Sequence, residues 1–355
     1  MTTDLVALTA ALVDIASESR HEQELVAWLE RDLAERPWLE LTRVGDNLVA
    51  RTDQGRAQRL ILAGHTDTVP ANGNARSRRV GDRLYGLGAT DMKSGLAVML
   101  EAARTIEAPA VDVTYVFYAR EEIEASASGL AELFATRPDL LTGDAALLGE
   151  PTSAAIEAGC QGTLRLRIEL GGARAHTARP WMGRNAVHRL GGILSALGTY
   201  EERRPVLDGC EYREVLQAVR VEGGVAGNVV PDHVELLLNH RFAPDRDAAA
   251  AEAHVRSVLE PWLEDGDVVE LVDLAVGAPP DLDHPLLAAL RTRNDLAVHA
   301  KLGWTDVSRF AQHGIPAANF GPGDATIAHT ADEYVERADL ERVWAAVRDL
   351  LAHGC

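Results

Sequence analysis

Acidic and histidine side chains recur at the ends of apolar stretches in the first half of this chain. RLILAG runs into His65, Thr66 and Asp67. The turn GLGATDMKSG carries Asp91, VTYVFYA runs into Arg120, Glu121 and Glu122, and DAALLG runs into Glu150 and Pro151. In an open parallel sheet, ligands bind outside the carboxyl ends of the strands. One such residue would be noise, but four in succession at the same end mark a site. A fifth candidate, His329, lies in the Gly- and Pro-rich loop NFGPGDATIAHTADE.

This mixture of imidazole and carboxylate suits a pair of Zn2+ ions roughly 3.5–4 Å apart, with one carboxylate between them and room for a water. His65 and Asp67 are two residues apart, so in an extended chain they point the same way. The carboxylate can then hold the imidazole nitrogen that a metal does not use. Glu121 and Glu122 are adjacent and cannot both face one atom along a regular strand. They are expected to split roles, one binding metal and one moving a proton. Taken singly, each residue has an ordinary structural reading. Asp91 can cap the helix that begins near Ser94, Glu121 and Glu122 can be first-turn helix acids, and the histidines can lie on the surface. His188, His240, His299 and His313 fall in no motif and read as structural.

The elements that must position these side chains form two patterns. Helices are expected over 4–16, 20–35, 94–106 and 129–136, with strands over 47–52, 59–63, 111–119 and 144–149. That alternation implies an α/β domain with a mainly parallel sheet covered by helices on both faces. After Gly162 the pattern changes. LRLRIEL (164–170) alternates polar and apolar residues, as a half-solvated antiparallel strand does. A helix over 185–197, strands over 212–222 and 232–242, and a helix over 248–263 follow. The chain then returns to alternation, with a helix over 285–293, a strand over 315–320 and a last helix over 338–352. Residues 1–162 and 278–355 are expected to form one catalytic domain, and 163–277 an inserted α+β, ferredoxin-like domain.

Composition narrows the partners. The 355 residues carry 35 Lys and Arg against 54 Asp and Glu, a net charge of −19. Such a surface repels phosphate backbones, so neither nucleic acid nor an anionic membrane is expected as a partner. Cys160, Cys210 and Cys355 are odd in number and form no CxxC pair, which reads as reduced thiols. The opening stretch lacks a basic n-region with an apolar run, and no segment approaches the roughly 18 apolar residues of a membrane span. A cytoplasmic protein is expected.

The motifs also carry a resemblance. GHTDTVP (64–70), GLGATDMKSG (86–95), REEIE (120–124), GEPT (149–152), ARAHTARP (173–180), GNVVPD (227–232) and AHTADE (328–333) are similar, in order and across nearly the whole chain, to the aminoacylase/carboxypeptidase family of dinuclear zinc amidohydrolases. That resemblance implies two Zn2+ per subunit, with Co2+ able to substitute. His65 and Glu150 would hold one ion, Glu122 and His329 the other, and Asp91 would bridge them. It further implies that Asp67 orients His65 and that Glu121 is the general base. A cis peptide is implied after Asp91. His176, in an inserted lid and dimerisation domain, would reach the partner's active site in a homodimer. Asn228, Arg241, Thr305 and Arg179 are the implied substrate contacts. IEAGCQGTLR, GWTDVSRF and NFGPGD resemble an actinobacterial branch of desuccinylases, which implies N-succinyl-LL-2,6-diaminopimelate as substrate. One departure stands out. Gln161 occupies a place where better-known desuccinylases have an arginine, so Arg179 or Arg165 would have to serve instead. Other readings are a deacylase of different specificity (acetylornithine deacetylase, aminoacylase), a dipeptidase, or a binding protein that has lost catalysis. The last is disfavoured because all five ligand positions and Glu121 are present.

Overall fold

The structure, a computed structural model, describes residues 4–355. It separates into two compact units. One comprises the chain up to Gly159 together with 280–299 and 306–355, and the other 160–279 with 300–305.

The first unit is built on an eight-stranded sheet. Its strands run, edge to edge, Glu40–Val44, Asn47–Arg51, Asp112–Tyr118, Arg59–His65, Ala145–Leu148, Ala317–Asn319, Ile156–Ala158 and Val298–Ala300. The central four are parallel, as the strand–helix alternation predicts. Glu40–Val44 with Asn47–Arg51, Asn47–Arg51 with Asp112–Tyr118, and Ala317–Asn319 with Ile156–Ala158 pair antiparallel. DVTYVFY is buried at every position, so both faces of this strand are covered. Helices Leu5–Val13, Lys93–Thr105 and Arg337–His353 pack against one another, and they join the strands in one large apolar core. Asp4 caps the first of them, its carboxylate accepting the backbone N–H of Val6 at 3.1 Å.

The second unit contains four antiparallel strands in the order Val215–Gly223, His233–Phe242, Gly162–Gly171, Val268–Ala275. Helices Ala186–Gly198 and Ala248–Leu259 complete a β-α-β-β-α-β chain order, the ferredoxin-like arrangement that was expected. Leu164, Leu166, Ile168 and Leu170 point into its core. Arg165 and Arg167, on the opposite face of the same strand, pair with Asp273 and Glu270.

Three expectations shift. Glu40–Val44 is a strand that the sequence did not signal, because ELTRV lies at the sheet edge and is nowhere fully buried. Val268–Ala275 is likewise an edge strand, and a bulge between Leu271 and Asp273 breaks its alternation. The helix expected to reach Leu263 ends at Leu259, two residues before Pro261. Among the described residues no helix is long and apolar enough to cross a membrane.

Candidate metal centre

Parallel register brings the strand ends level. His65 pairs with Tyr118, so Glu121 and Glu122 emerge just beyond it, and Ala63 pairs with Leu148, two residues before Glu150. The close approach of Gly95 to the Gly149 carbonyl seats the Lys93–Thr105 helix against this rim. A Cβ on Gly95 would fall 2.0 Å from that oxygen.

Three overlapping groups of donor atoms result, each group lying within 4.8 Å: His65, Asp91 and Glu150; His65, Glu121 and Glu122; and Asp91, Glu122 and His329. Asp91 touches both histidines. Its Oδ1 is 3.0 Å from His65 Nε2 and its Oδ2 is 3.5 Å from His329 Nε2. His329 Nε2 also lies 2.9 Å from Glu122 Oε1. The other nitrogen of His65, Nδ1, is 3.0 Å from the Asp67 carbonyl oxygen and 3.5 Å from its carboxylate. The Asp91–Met92 peptide is cis.

Electrostatics fit a cation-binding role. Burial opposes ionisation of Asp91, but hydrogen bonds to His329 and His65 hold it well below the usual carboxylate range. His329, bonded to Asp91 and then to Glu122, is raised to about 10. Burial opposes the charge on His65 as well, yet Asp67 and Asp91 lift it well above an ordinary imidazole. Glu121 is pushed well above the carboxylate range by burial. His65 opposes that shift, while the negative charges of Glu150, Asp306 and Glu122 add to it. Four carboxylates thus share two imidazoles in a largely buried space. A divalent cation held here would offset that negative charge, and the nitrogen-and-oxygen donor set fits zinc.

Residues 61–353 match peptidase family M20/M25/M40. The chain belongs to that family. It is 51% identical over 350 residues to a Mycobacterium tuberculosis protein named "Putative succinyl-diaminopimelate desuccinylase DapE", covering 98% of this chain and 97% of that one. It is 42% identical over 355 residues to the succinyl-diaminopimelate desuccinylase of Corynebacterium glutamicum, covering 98% and 96%. A tripeptidase from Staphylococcus aureus shares the fold, with a TM-score of 0.80 at 20% identity over 98% of this chain and 97% of the other.

Several residues that sequence reasoning missed hold this M20 centre in shape. Ser19 donates to the Asp67 carboxylate at 2.7 Å. Buried Glu22 accepts the Arg120 N–H at 3.1 Å, and Asn47 accepts that of Ala119 at 3.0 Å. Together they clamp a turn in which Arg120 adopts φ +61°, a region that L-residues rarely occupy. Asp306, buried beside the site, is raised by desolvation. The only sequence signal for it was its place in GWTDVSRF.

The candidates of the second unit do not all converge. His176 bridges Val229, and the Asn228 carbonyl accepts the Thr177 N–H at 3.0 Å. Arg179 donates its N–H to the His176 carbonyl at 2.8 Å, so His176, Asn228 and Arg179 form one group. Arg241 lies opposite Thr163, at the other end of the sheet from the Gly171–His233 pair. Eight residues of strand separate the two ends, roughly 26 Å at about 3.3 Å per residue. Thr305 belongs with Arg241, since its carbonyl receives the Cys160 thiol at 3.6 Å, next to the start of the same strand. Gln161 is buried, and its amide donates to the Arg213 carbonyl at 2.7 Å. Of its suggested stand-ins, Arg165 is neutralised by Asp273 at 2.6 Å, whereas Arg179 is exposed.

Proposed function

We propose that this M20 protein is a metal-dependent amide hydrolase that removes succinate from N-succinyl-LL-2,6-diaminopimelate and releases LL-diaminopimelate. The full-length likeness to the two named desuccinylases carries the substrate, and the donor cluster around Asp91 carries the chemistry. His65 and Glu150 would hold one Zn2+, Glu122 and His329 a second, and Asp91 both, with Co2+ able to replace zinc. When bound, such ions polarise the amide carbonyl and make a nearby water more acidic.

The chain's own residues supply the rest. Asp67 holds His65 through its second nitrogen and fixes the turn that presents Glu121. Glu121 accepts the proton of the attacking water and returns it to the leaving amine. A carboxylate whose pKa is raised by burial holds a proton more readily than a solvated one, which suits both transfers. His176 would donate a hydrogen bond to the developing oxyanion. Its Nδ1 accepts the Ala178 N–H at 3.0 Å, so the neutral ring carries its proton on Nε2, as a donor must. Arg241, Thr305, Asn228 and Arg179 would bind the substrate's polar and carboxylate groups.

We read 163–277 as a lid and dimerisation domain, and the active form as a homodimer. Two observations support this. Arg241 lies at the opposite end of the sheet from the strand ends that lead to the His176 segment, which fits the two serving one substrate from different protomers. The edge strand Val215–Gly223 exposes Val219 and Val221, and Trp181 is 77% exposed, apolar area that a second copy can cover. Cys160, Cys210 and Cys355 form no disulfide among the described residues, which agrees with a reducing, cytoplasmic setting.

The deciding experiment is amine release, measured in parallel, from N-succinyl-LL-diaminopimelate, N-acetylornithine and a dipeptide. The succinyl compound should be preferred by kcat/KM, with activity lost to a chelator and restored by zinc. Preference for either alternative would overturn the substrate, and full activity in chelator would overturn the metal role.

A further inference from the structure

AHTADE contributes a second residue besides His329. Glu333 is 1% exposed, and its carboxylate faces the turn that carries Asp91. Oε1 accepts the backbone N–H of Thr90 at 2.8 Å and of Asp91 at 3.0 Å, and Oε2 accepts that of Gly88 at 3.1 Å. Further bonds join the same two loops. The Gly86 N–H donates to the Glu333 carbonyl at 3.1 Å and the Thr90 hydroxyl to the Tyr334 carbonyl; from a neighbouring loop the Asn74 amide donates to the Thr330 carbonyl at 3.1 Å. His329 lies four residues upstream, held at φ +63°.

We propose that Glu333 is a positioning residue that binds the 86–91 turn and the His329 loop into one piece, thereby setting the spacing between Asp91 and His329. The inference rests on the dinuclear reading and assigns Glu333 to one half of it. Asp91 and His329 sit on two loops that lie far apart in sequence and meet at this carboxylate, whereas Glu122 is held by Asp67. His65 and Glu150 emerge directly from neighbouring strands, and the sheet holds them without Glu333. A carboxylate suits the task because three donors meet two acceptor oxygens. Glutamine has the same size but only one acceptor oxygen, so its amide group must face at least one N–H donor.

The test uses the full-length protein stripped of metal and titrated with Co2+, followed by equilibrium dialysis and visible absorption. The wild type should take up two equivalents. In Glu333→Gln the second equivalent should bind about 10–100-fold more weakly and the first should be weakened less, because Asp91 would touch both ions while His65 and Glu150 still hold one, with a changed second absorption increment and a lowered kcat at near-constant KM. Thr90→Val, which removes the hydroxyl link to Tyr334 and leaves Glu333 in place, should weaken the second equivalent in the same direction. If Glu333→Gln does not fold, Thr90→Val alone decides. Two equivalents bound as tightly as in wild type, or both weakened equally, would overturn the role of Glu333. A wild type that takes up fewer than two equivalents would overturn the dinuclear reading itself.

Discussion

The Asp67 carboxylate accepts the backbone N–H of Glu121 at 3.0 Å and that of Glu122 at 3.1 Å, while lying 3.5 Å from the imidazole of His65. One side chain therefore fixes His65 on one strand end and the acid pair on the next. Asp67→Ala should weaken metal binding about 10–100-fold and lower kcat, with secondary structure retained. Metal titration alongside circular dichroism checks this, and unchanged affinity would count against the hub role.

In the proposed reaction Glu121 moves the proton. Glu121→Gln keeps size and burial but cannot accept a proton from water, so kcat should fall about 10²–10⁴-fold. KM and metal content should change little. Steady-state kinetics with metal analysis decides it, and near-normal turnover would remove Glu121 from this role.

Metal uptake should release protons. Asp91 and Glu122 raise His329 to about 10, so the metal-free protein carries it protonated at neutral pH. A cation binds the neutral ring and must expel that proton. Affinity should therefore rise with pH below about 10, by about tenfold per unit for each proton expelled. Calorimetry in buffers of different ionisation enthalpy measures the protons released, and a count of zero contradicts the assignment.

If His176 acts across a dimer, two inactive variants should complement. Glu121→Gln and His176→Ala, mixed after subunit exchange, place an intact Glu121 and an intact His176 around one site of each heterodimer. With random pairing, about a quarter of wild-type activity should return. No recovery despite demonstrated exchange would favour action within one protomer.

Gly95→Ala tests the packing behind Glu150. The added methyl meets the Gly149 carbonyl at 2.0 Å, and backbone cannot yield as a flexible side chain does. A destabilisation of about 1–3 kcal/mol or more is expected, read as a fall in Tm, together with weaker metal binding because Glu150 is displaced. An unchanged Tm would show that the helix and strand can part more easily than their contact suggests.

Much of this could be read from the chain alone. The strand-end positions of His65, Glu121, Glu122 and Glu150 follow from apolar runs that stop at polar residues. The switch from buried to alternating strands after Gly162 announces a change of sheet type. The clamps could not be read. Glu22, Asn47 and Glu333 act on backbone amides up to 245 residues away and Ser19 on the Asp67 carboxylate, and nothing local distinguishes them from ordinary polar residues. Arg241 and His176 looked equally like partners of one substrate until strand register set them at opposite ends of a sheet.

The order of residue types along the chain by itself determined which side chains have the chemistry to bind metal or move a proton, and most of the segments that become strands or helices, the exposed edge strands excepted, because periodicity and residue chemistry act over a few neighbours. Only the tertiary structure decided which of those side chains meet, which carboxylate holds which turn, and how far burial and neighbouring charge move each proton. Register, desolvation and Coulomb energy depend on groups that are close in space and distant in the chain.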